Sequence, residues 1–243
     1  MPSLEVAILP ALTDNYIYVI YNRISGWTAA VDPSEASPVL NHVARFGGSL
    51  HQILCTHHHW DHVGGNVELK AATGCSVMGS RIDEKRIPGL DVGVEGGDSV
   101  TLGGEKVQIL PIPGHTRGHI AYYFVESELL FCGDTVFSVG CGRIFEGTYS
   151  ELWESLRRLS SLPPHTKIYC GHEYTLNNLN FALDIDPGNR ALKKRHEEVV
   201  ALTRQSLPTL PTTLHEELKL NPFLRAKDLD QFTSLRQRKD NWK

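Results

Sequence analysis

Thr56-His57-His58-His59-Trp60-Asp61-His62, followed at once by Val63-Gly64-Gly65, sets four imidazoles and a carboxylate within six residues. An extended backbone sends successive side chains to opposite sides. His57, His59 and Asp61 then share one side, and His62 joins them after a turn. Four donors that close can surround a metal ion, and neutral imidazole is the commonest side-chain metal ligand. The flanks suit that use: His51 to Cys55 is an apolar strand leading in, and Gly64-Gly65 lets the chain turn into a helix. Consecutive histidines also occur as affinity tags or metal-scavenging tracts. Here the run is internal, follows a strand, and carries Asp61 and His62 in register. His58 alternates away from the other donors and is expected behind them or as a bystander.

A chain of 243 residues holds one large domain, or one domain with a small appendage. Its 41% apolar and 21% charged residues are those of an ordinary globular protein. No apolar run approaches a membrane span, and no basic-then-apolar leader opens the chain, so the cytoplasm is the expected location. Five cysteines, with no C-x-x-C pair, argue against a disulfide framework and for a reducing compartment. Charge is unevenly placed. Residues 190 to 243 hold 12 Lys and Arg against 7 Asp and Glu, whereas the preceding 189 hold 12 against 21. A basic C-terminal part on an acidic body points to an anionic ligand at that end.

The first thirty residues read as a meander, with strands at 4–9, 16–21 and 27–31 separated by turn residues. Ser37-Pro38 opens a helix that runs to about Phe46 and is closed by Gly47-Gly48. A helix over 66–73 follows the histidine loop. After a Gly- and charge-rich stretch from Ile87 to Asp98, a second meander spans 99–102, 105–112, 120–126 and 128–132. Leu152, Trp153, Leu156 and Leu159 give 149–160 a helical apolar face, and 167–170 is a last strand. Beyond Gly171 the pattern is helical, at 174–184, 189–206, 213–219 and 228–237. Two strand-then-helix halves imply an α/β fold: a four-layer αββα sandwich with a small C-terminal α-helical domain. The domains expected are 1–171 for the metal-binding part and 172–243 for the helical part.

Three further stretches run from an apolar strand into glycine and then a donor: Gly114-His115, Gly133-Asp134 and Gly171-His172. Functional residues gather at strand ends, where the strand is rigid and the loop accessible. Singly, each donor reads as a turn residue or helix cap. Together with the histidine loop they make five histidines and two aspartates, more than one tetrahedral ion uses. Two ions about 3.5–4 Å apart use all seven, with Asp134 as the natural bridge. His119 is expected behind the ligands or in the core.

These stretches, T-H-H-H-W-D-H, P-G-H-T, G-D-T and G-H-E-Y-T, resemble the metallo-β-lactamase superfamily. Gly140 to Thr148, Gly171 to Thr175 and Leu235 to Asp240 narrow the likeness to glyoxalase II, the hydroxyacylglutathione hydrolases, over essentially the whole chain. The resemblance implies one ion on His57, His59 and His115, a second on Asp61, His62 and His172, and Asp134 bridging both. It implies Asp61 and Asp134 as catalytic residues and divalent metals, zinc foremost, with iron or manganese as alternatives. It places a glutathione thioester against Arg143, Ile144, Phe145, His172, Glu173, Tyr174, Arg236, Gln237, Arg238 and Lys239. The family version with Lys and Tyr in the loop is replaced here by Arg143, which keeps the cation, and Phe145, which lacks the hydroxyl. Arg236 and Lys239, three apart, share a helix face, and paired cations suit a carboxylate.

The activity so implied is hydrolysis of S-D-lactoylglutathione to glutathione and D-lactate by a dinuclear-metal-bound hydroxide, in a monomer that binds neither nucleic acid nor membrane. A lactonase, a β-lactamase or a glutathione-dependent sulfur dioxygenase shares the superfamily loop. Nucleic-acid binding through the basic C-terminus is the alternative of another class, disfavoured by overall acidity and a single aromatic there, Trp242.

Overall fold

The computed structural model describes residues 4–45 and 48–242. The chain opens with β1 (Leu4–Ala11), β2 (Asn15–Asn22) and β3 (Thr28–Val31), then α1 (Ala36–Arg45). The expected end of α1 at Phe46 and Gly47 lies outside the described residues. β4 (Gln52–Leu54), α2 (Trp60–Val63), α3 (Asn66–Thr73), β5 (Ser76–Ser80) and β6 (Val92–Val94) complete the first sheet, ordered β1-β2-β3-β4-β5-β6. β1 to β3 pair antiparallel and β3 to β6 parallel. β5 and β6 are additions to the sequence reading. Both are short and one falls in the Gly- and charge-rich stretch, so pairing rather than pattern makes them strands.

β7 (Ser99–Leu102), β8 (Glu105–Pro111), β9 (Ile120–Phe124), β10 (Leu129–Gly133), β11 (Val136–Phe137), β12 (Gly140–Cys141), α4 (Tyr149–Ser160) and β13 (Lys167–Cys170) follow. The C-terminal part contributes α5 (Thr175–Ile185), α6 (Arg190–Arg204), β14 (Thr212–Thr213), α7 (Leu214–Leu220) and α8 (Leu229–Asp240). The second sheet is ordered β14-β13-β10-β9-β8-β7, and β11-β12 form a small hairpin. Thus the C-terminal part is not purely helical: it lends the sheet its edge strand, β14, antiparallel to β13.

β2 is buried on both faces, as a strand inside a layered fold must be. Tyr16, Tyr18 and Ile20 face the second sheet, while Ile17 and Val19 pack under Val39, Val43 and Leu69 of α1 and α3. Between the sheets Tyr18 meets Tyr169 edge-on at 5.1 Å, and Phe131 stacks on Tyr169 at 4.9 Å. Side chains of this size each contribute about 1.5–3 kcal/mol on burial. Tyr122 ties the layers with a hydrogen bond to the Cys55 carbonyl, 3.1 Å. On the far side α4 inserts Leu152, Leu156 and Leu159 and meets α8, with Trp153 5.5 Å from Phe232. A capping box of Thr148 and Glu151 starts α4. The result is the four-layer sandwich expected.

Among the described residues, no helix is long and apolar enough to cross a membrane. All five cysteines are free and buried. β3, β4, β8, β10 and β13 all deliver their C-terminal ends to one edge of the sandwich, and the donors gather there.

Candidate metal centre

The expected extended run from His57 to Asp61 does not form. His59 caps α2, so Asp61 and His62 approach the centre from its first turn, and Trp60 is turned outward, 71% exposed. The donors still converge, through helix geometry rather than strand alternation.

His57 Nδ1 lies 3.0 Å from Thr56 Oγ1, which itself donates to Asp32 Oδ2 at 2.6 Å. His115 Nδ1 donates to the Arg143 carbonyl at 2.8 Å. The lone pairs of both Nε2 atoms therefore face inward, onto His59 Nδ1, at 3.1 and 3.0 Å. Beside them His62 Nδ1 is held by Asp32 Oδ2 at 3.2 Å and His172 Nδ1 by Asp14 Oδ1 at 2.9 Å. Their Nε2 atoms each lie 3.5 Å from Asp61 Oδ2. Asp134 spans the two groups: Oδ1 is 3.5 Å from His62, and Oδ2 is 3.3 Å from His172 and 3.4 Å from His115. His57, His62, His115 and His172 thus each have one nitrogen fixed by an outer partner and one turned to the centre, the arrangement that orients metal ligands.

Electrostatics divide the donors into two groups, His57, His59 and His115 shifted down and His62 and His172 shifted up. Burial, reinforced by the neighbouring imidazoles, pushes His57 well below the usual histidine range and His59 down to about 4. Both are neutral, as ligation requires. His115 also moves down, chiefly by burial. Burial acts downward on His172 too, but Asp134 and Asp14 outweigh it and hold the ring up to about 9. For Asp134 burial acts upward and is overcome by His62, His172 and His115, leaving the carboxyl far below its ordinary range.

The residues fit a pair of cations. His62 Nε2 and Asp134 Oδ1 are buried with no hydrogen-bond partner, a costly state in an apolar setting. The triads His57, His59, His115 and Asp61, His62, His172 each bring their donor atoms within 4.8 Å of one another. Gly171 permits this approach, since a Cβ there would lie 2.4 Å from Asp134 Oδ1 and 2.6 Å from the His62 ring. Gly114 serves another purpose: its φ of +145° and its contact with Leu152 of α4 require glycine away from the centre.

Sequence reading missed the outer partners. Asp14 and Asn15 looked like turn residues, yet Asn15 Nδ2 donates to Asp61 Oδ2 at 3.1 Å. Asp32 looked like a strand end, and its φ of +49° marks it as held in place. His119, expected behind the ligands, stacks on His57 at 4.5 Å and accepts the Asp134 N–H at 3.1 Å.

A cavity of about 450 Å³ opens beside His115 and Asp134. Arg143, Phe145, Tyr174, Arg236 and Lys239 line it, with Phe137, Cys141, Asn177 and Asn178, which the sequence did not single out. Phe145 is 63% exposed and sits 5.1 Å from His115 and 5.7 Å from His59. Arg236 is 3% exposed and paired with Asp240 at 2.8 Å, so its charge is largely internal. Lys239 donates to the Asn177 carbonyl at 3.2 Å and lies over the Trp242 ring. Ile144 packs against the core. Two expected contacts are engaged elsewhere: Glu173 accepts from the Tyr16 hydroxyl at 2.7 Å and from Thr209 N at 3.0 Å, and Arg238 pairs with Asp184 at 2.8 Å. Gln237 is exposed on α8.

A four-layer sandwich with seven His and Asp donors on one edge defines a metal-dependent protein of the metallo-β-lactamase class. Residues 28–172 match the model of the metallo-beta-lactamase superfamily, and residues 173–242 match that of the hydroxyacylglutathione hydrolase C-terminus. A hydroxyacylglutathione hydrolase of Methylococcus capsulatus is 48% identical over 98% of this chain and 98% of its own length. Among solved structures, ETHE1 from Myxococcus xanthus is 26% identical with a TM-score of 0.74, covering 96% of this chain and 90% of that one. TTHA1623 in a di-iron-bound form is also 26% identical, at a TM-score of 0.63 over 90% and 99%. The chain belongs to the hydroxyacylglutathione hydrolase family.

Proposed function

We propose that this chain hydrolyses the thioester of S-D-lactoylglutathione to glutathione and D-lactate. The observation that carries the reading is that one cavity is lined both by His115 and Asp134 of the donor cluster and by the cations of Arg143 and Lys239. Glutathione offers carboxylates to those cations. Its thioester carbonyl then lies toward His115 and Asp134.

The proposed ligands are His57, His59 and His115 for one ion, Asp61, His62 and His172 for the other, and Asp134 for both. Mixed imidazole and carboxylate donors suit zinc; the di-iron relative makes iron the alternative. Two divalent ions there supply an activated water and polarise the acyl carbonyl. The chain's own groups do the rest. Asp61, its Oδ2 fixed by Asn15, orients the attacking water. Phe145 and Tyr174 flank the cavity and exclude solvent. The departing thiol has an ordinary pKa of about 8.5, so it leaves as thiolate without a strong acid. No serine or cysteine nucleophile is required.

In this reading residues 1–171 carry six of the seven metal ligands and the Arg143–Phe145 loop, and residues 172–243 add His172 and the Tyr174, Arg236 and Lys239 side of the glutathione cavity. The protein is monomeric and cytoplasmic, in keeping with five reduced, buried cysteines. The test is turnover of S-D-lactoylglutathione by protein of measured metal content. Hydrolysis that scales with bound metal supports the reading. Hydrolysis of lactones alone, or oxygen uptake with glutathione persulfide, replaces it.

A further inference from the structure

We propose that Glu146, Arg86 and His58 form a latch that positions the substrate-binding loop relative to the metal ligands. The proposal rests on the glutathione-thioester reading above. His58 is the one imidazole of the histidine loop that takes no part in the donor cluster. Its Nδ1 lies 3.0 Å from Asp83 Oδ2 and its Nε2 3.5 Å from Glu146 Oε1. Arg86 contacts both His58 and Glu146, and lies 3.5 Å from Asp83 Oδ1. Glu146 Oε2 accepts from Arg117 N at 3.1 Å, and Arg117 Nε donates to the Glu146 carbonyl at 3.2 Å. Four segments distant in sequence meet at this junction.

An isolated surface ion pair contributes little. This junction is anchored more firmly, because the Asp83 side chain is 1% exposed and Gly118 packs directly on it. A Cβ at Gly118 would come within 2.3 Å of Asp83 Oδ2. The loop is held from its other side by its backbone. Phe145 N and Glu146 N both donate to the His115 carbonyl, at 3.2 and 3.3 Å, and Gly147 N donates to Gly114 O at 3.0 Å.

So residues 143–147 are tied to one ligand through main chain and, through the Glu146 carboxylate, to the residue between two others. Phe145 and Arg143, the members of that loop that line the cavity, sit at and just before these ties. Releasing Glu146 frees them to shift while His57, His62 and His172 keep their outer partners. Displacing groups that hold the glutathione part alike in ground and transition states raises KM with little change in kcat. Glu146 and Arg86 are therefore positioning residues for substrate rather than ligands or catalytic groups.

The test uses the full chain with both metals loaded, as wild type and as E146Q, R86M and the double variant. Metal per chain, affinity for an unreactive S-alkylglutathione thioether, and kcat and KM for S-D-lactoylglutathione are measured. Each single change should raise the thioether Kd and KM about tenfold at unchanged metal content, with kcat less affected. The double should be no worse than the worse single, since both break one unit, and R86K should recover part of the loss. Wild-type-like Kd and KM in both singles, additive losses, or losses that track metal content would overturn the latch. A wild type that neither binds the thioether nor hydrolyses the thioester would overturn the functional reading and the latch with it.

Discussion

The imidazole of His172 and the phenol ring of Tyr174 lie parallel, with centroids 4.8 Å apart and planes 2° from each other. Phe137 closes on this stack edge-on, 6.0 Å from His172 and 5.2 Å from Tyr174. One aromatic thereby forms a wall of the cavity and the back of a proposed metal ligand. Such a pair contributes about 0.5–1.5 kcal/mol beyond area burial. Tyr174→Ala should therefore weaken metal binding at the His172 ion by up to about tenfold and raise KM as well. Tyr174→Phe, which keeps the ring, should leave metal affinity within about twofold. Chelator competition distinguishes them; equal losses in both variants would assign the effect to the hydroxyl instead.

Asp14 fixes His172 through Nδ1, so its removal should loosen one ion and spare the other. Loss of an outer partner typically costs 10- to 100-fold in metal affinity, on the order of 2 kcal/mol. Asp14→Ala should show that loss for one ion per chain. The other should titrate as in wild type, because His57 and His115 are held through Thr56 and the Arg143 carbonyl. Parallel loss of both ions would mean that the two sites do not assemble independently.

The difference between His172 and Asp14 also marks how far the sequence could be read. His172, Asp134 and His115 were legible because each follows a glycine at the end of an apolar strand, a local signal. Asp14 was not, since nothing in Thr13-Asp14-Asn15 distinguishes a turn from a ligand's partner. Its role depends on a contact with His172, 158 residues on, which only the packed sheets create. The same holds for Asp32 and for strands β5 and β6, which are set by neighbours rather than by pattern. At the C-terminus spacing placed Arg236 and Lys239 on one helix face, but not that burial beside Cys141 and Asp240 would take up the Arg236 charge. Glu173 is misleading for a related reason: next to a ligand and a cavity aromatic, it is drawn away by Tyr16 and Thr209.

Lys239 supplies a pH test. Burial first, then the Arg236 and Arg143 charges, lowers its ammonium to about 8. The cation that would meet a substrate carboxylate is present below that pH and lost above it. The apparent KM should therefore rise with pH through about 8, while Lys239→Gln should show a raised KM without that step. The stability effect has the opposite sign. Between about 8 and the ordinary lysine value near 10.4 the unfolded chain binds the extra proton, so the folded state gains as pH rises. A pH profile of KM that is the same in wild type and Lys239→Gln would remove Lys239 from the binding site.

Glu217 holds the hairpin that carries Phe137 and Cys141. Fully buried, it accepts from Val139 N at 2.8 Å, Thr212 Oγ1 at 2.8 Å and Asn221 Nδ2 at 2.9 Å. Val139 has a φ of +57°, a conformation that a β-branched residue adopts only under constraint. Burial pushes the Glu217 carboxyl upward in pKa, against the lowering effect of the Thr212 and Asn221 hydrogen bonds. The fold thus favours the protonated form more than the unfolded chain does, and glutamine is its closest neutral mimic. Glu217→Ala should cost on the order of 3 kcal/mol, because it strands buried donors. Glu217→Gln should cost less than about 1 kcal/mol, since its amide oxygen still accepts. Denaturant midpoints at fixed metal content measure both. If alanine and glutamine destabilise equally, the charge itself holds the hairpin, and the hydrogen-bond account of this buried carboxyl fails.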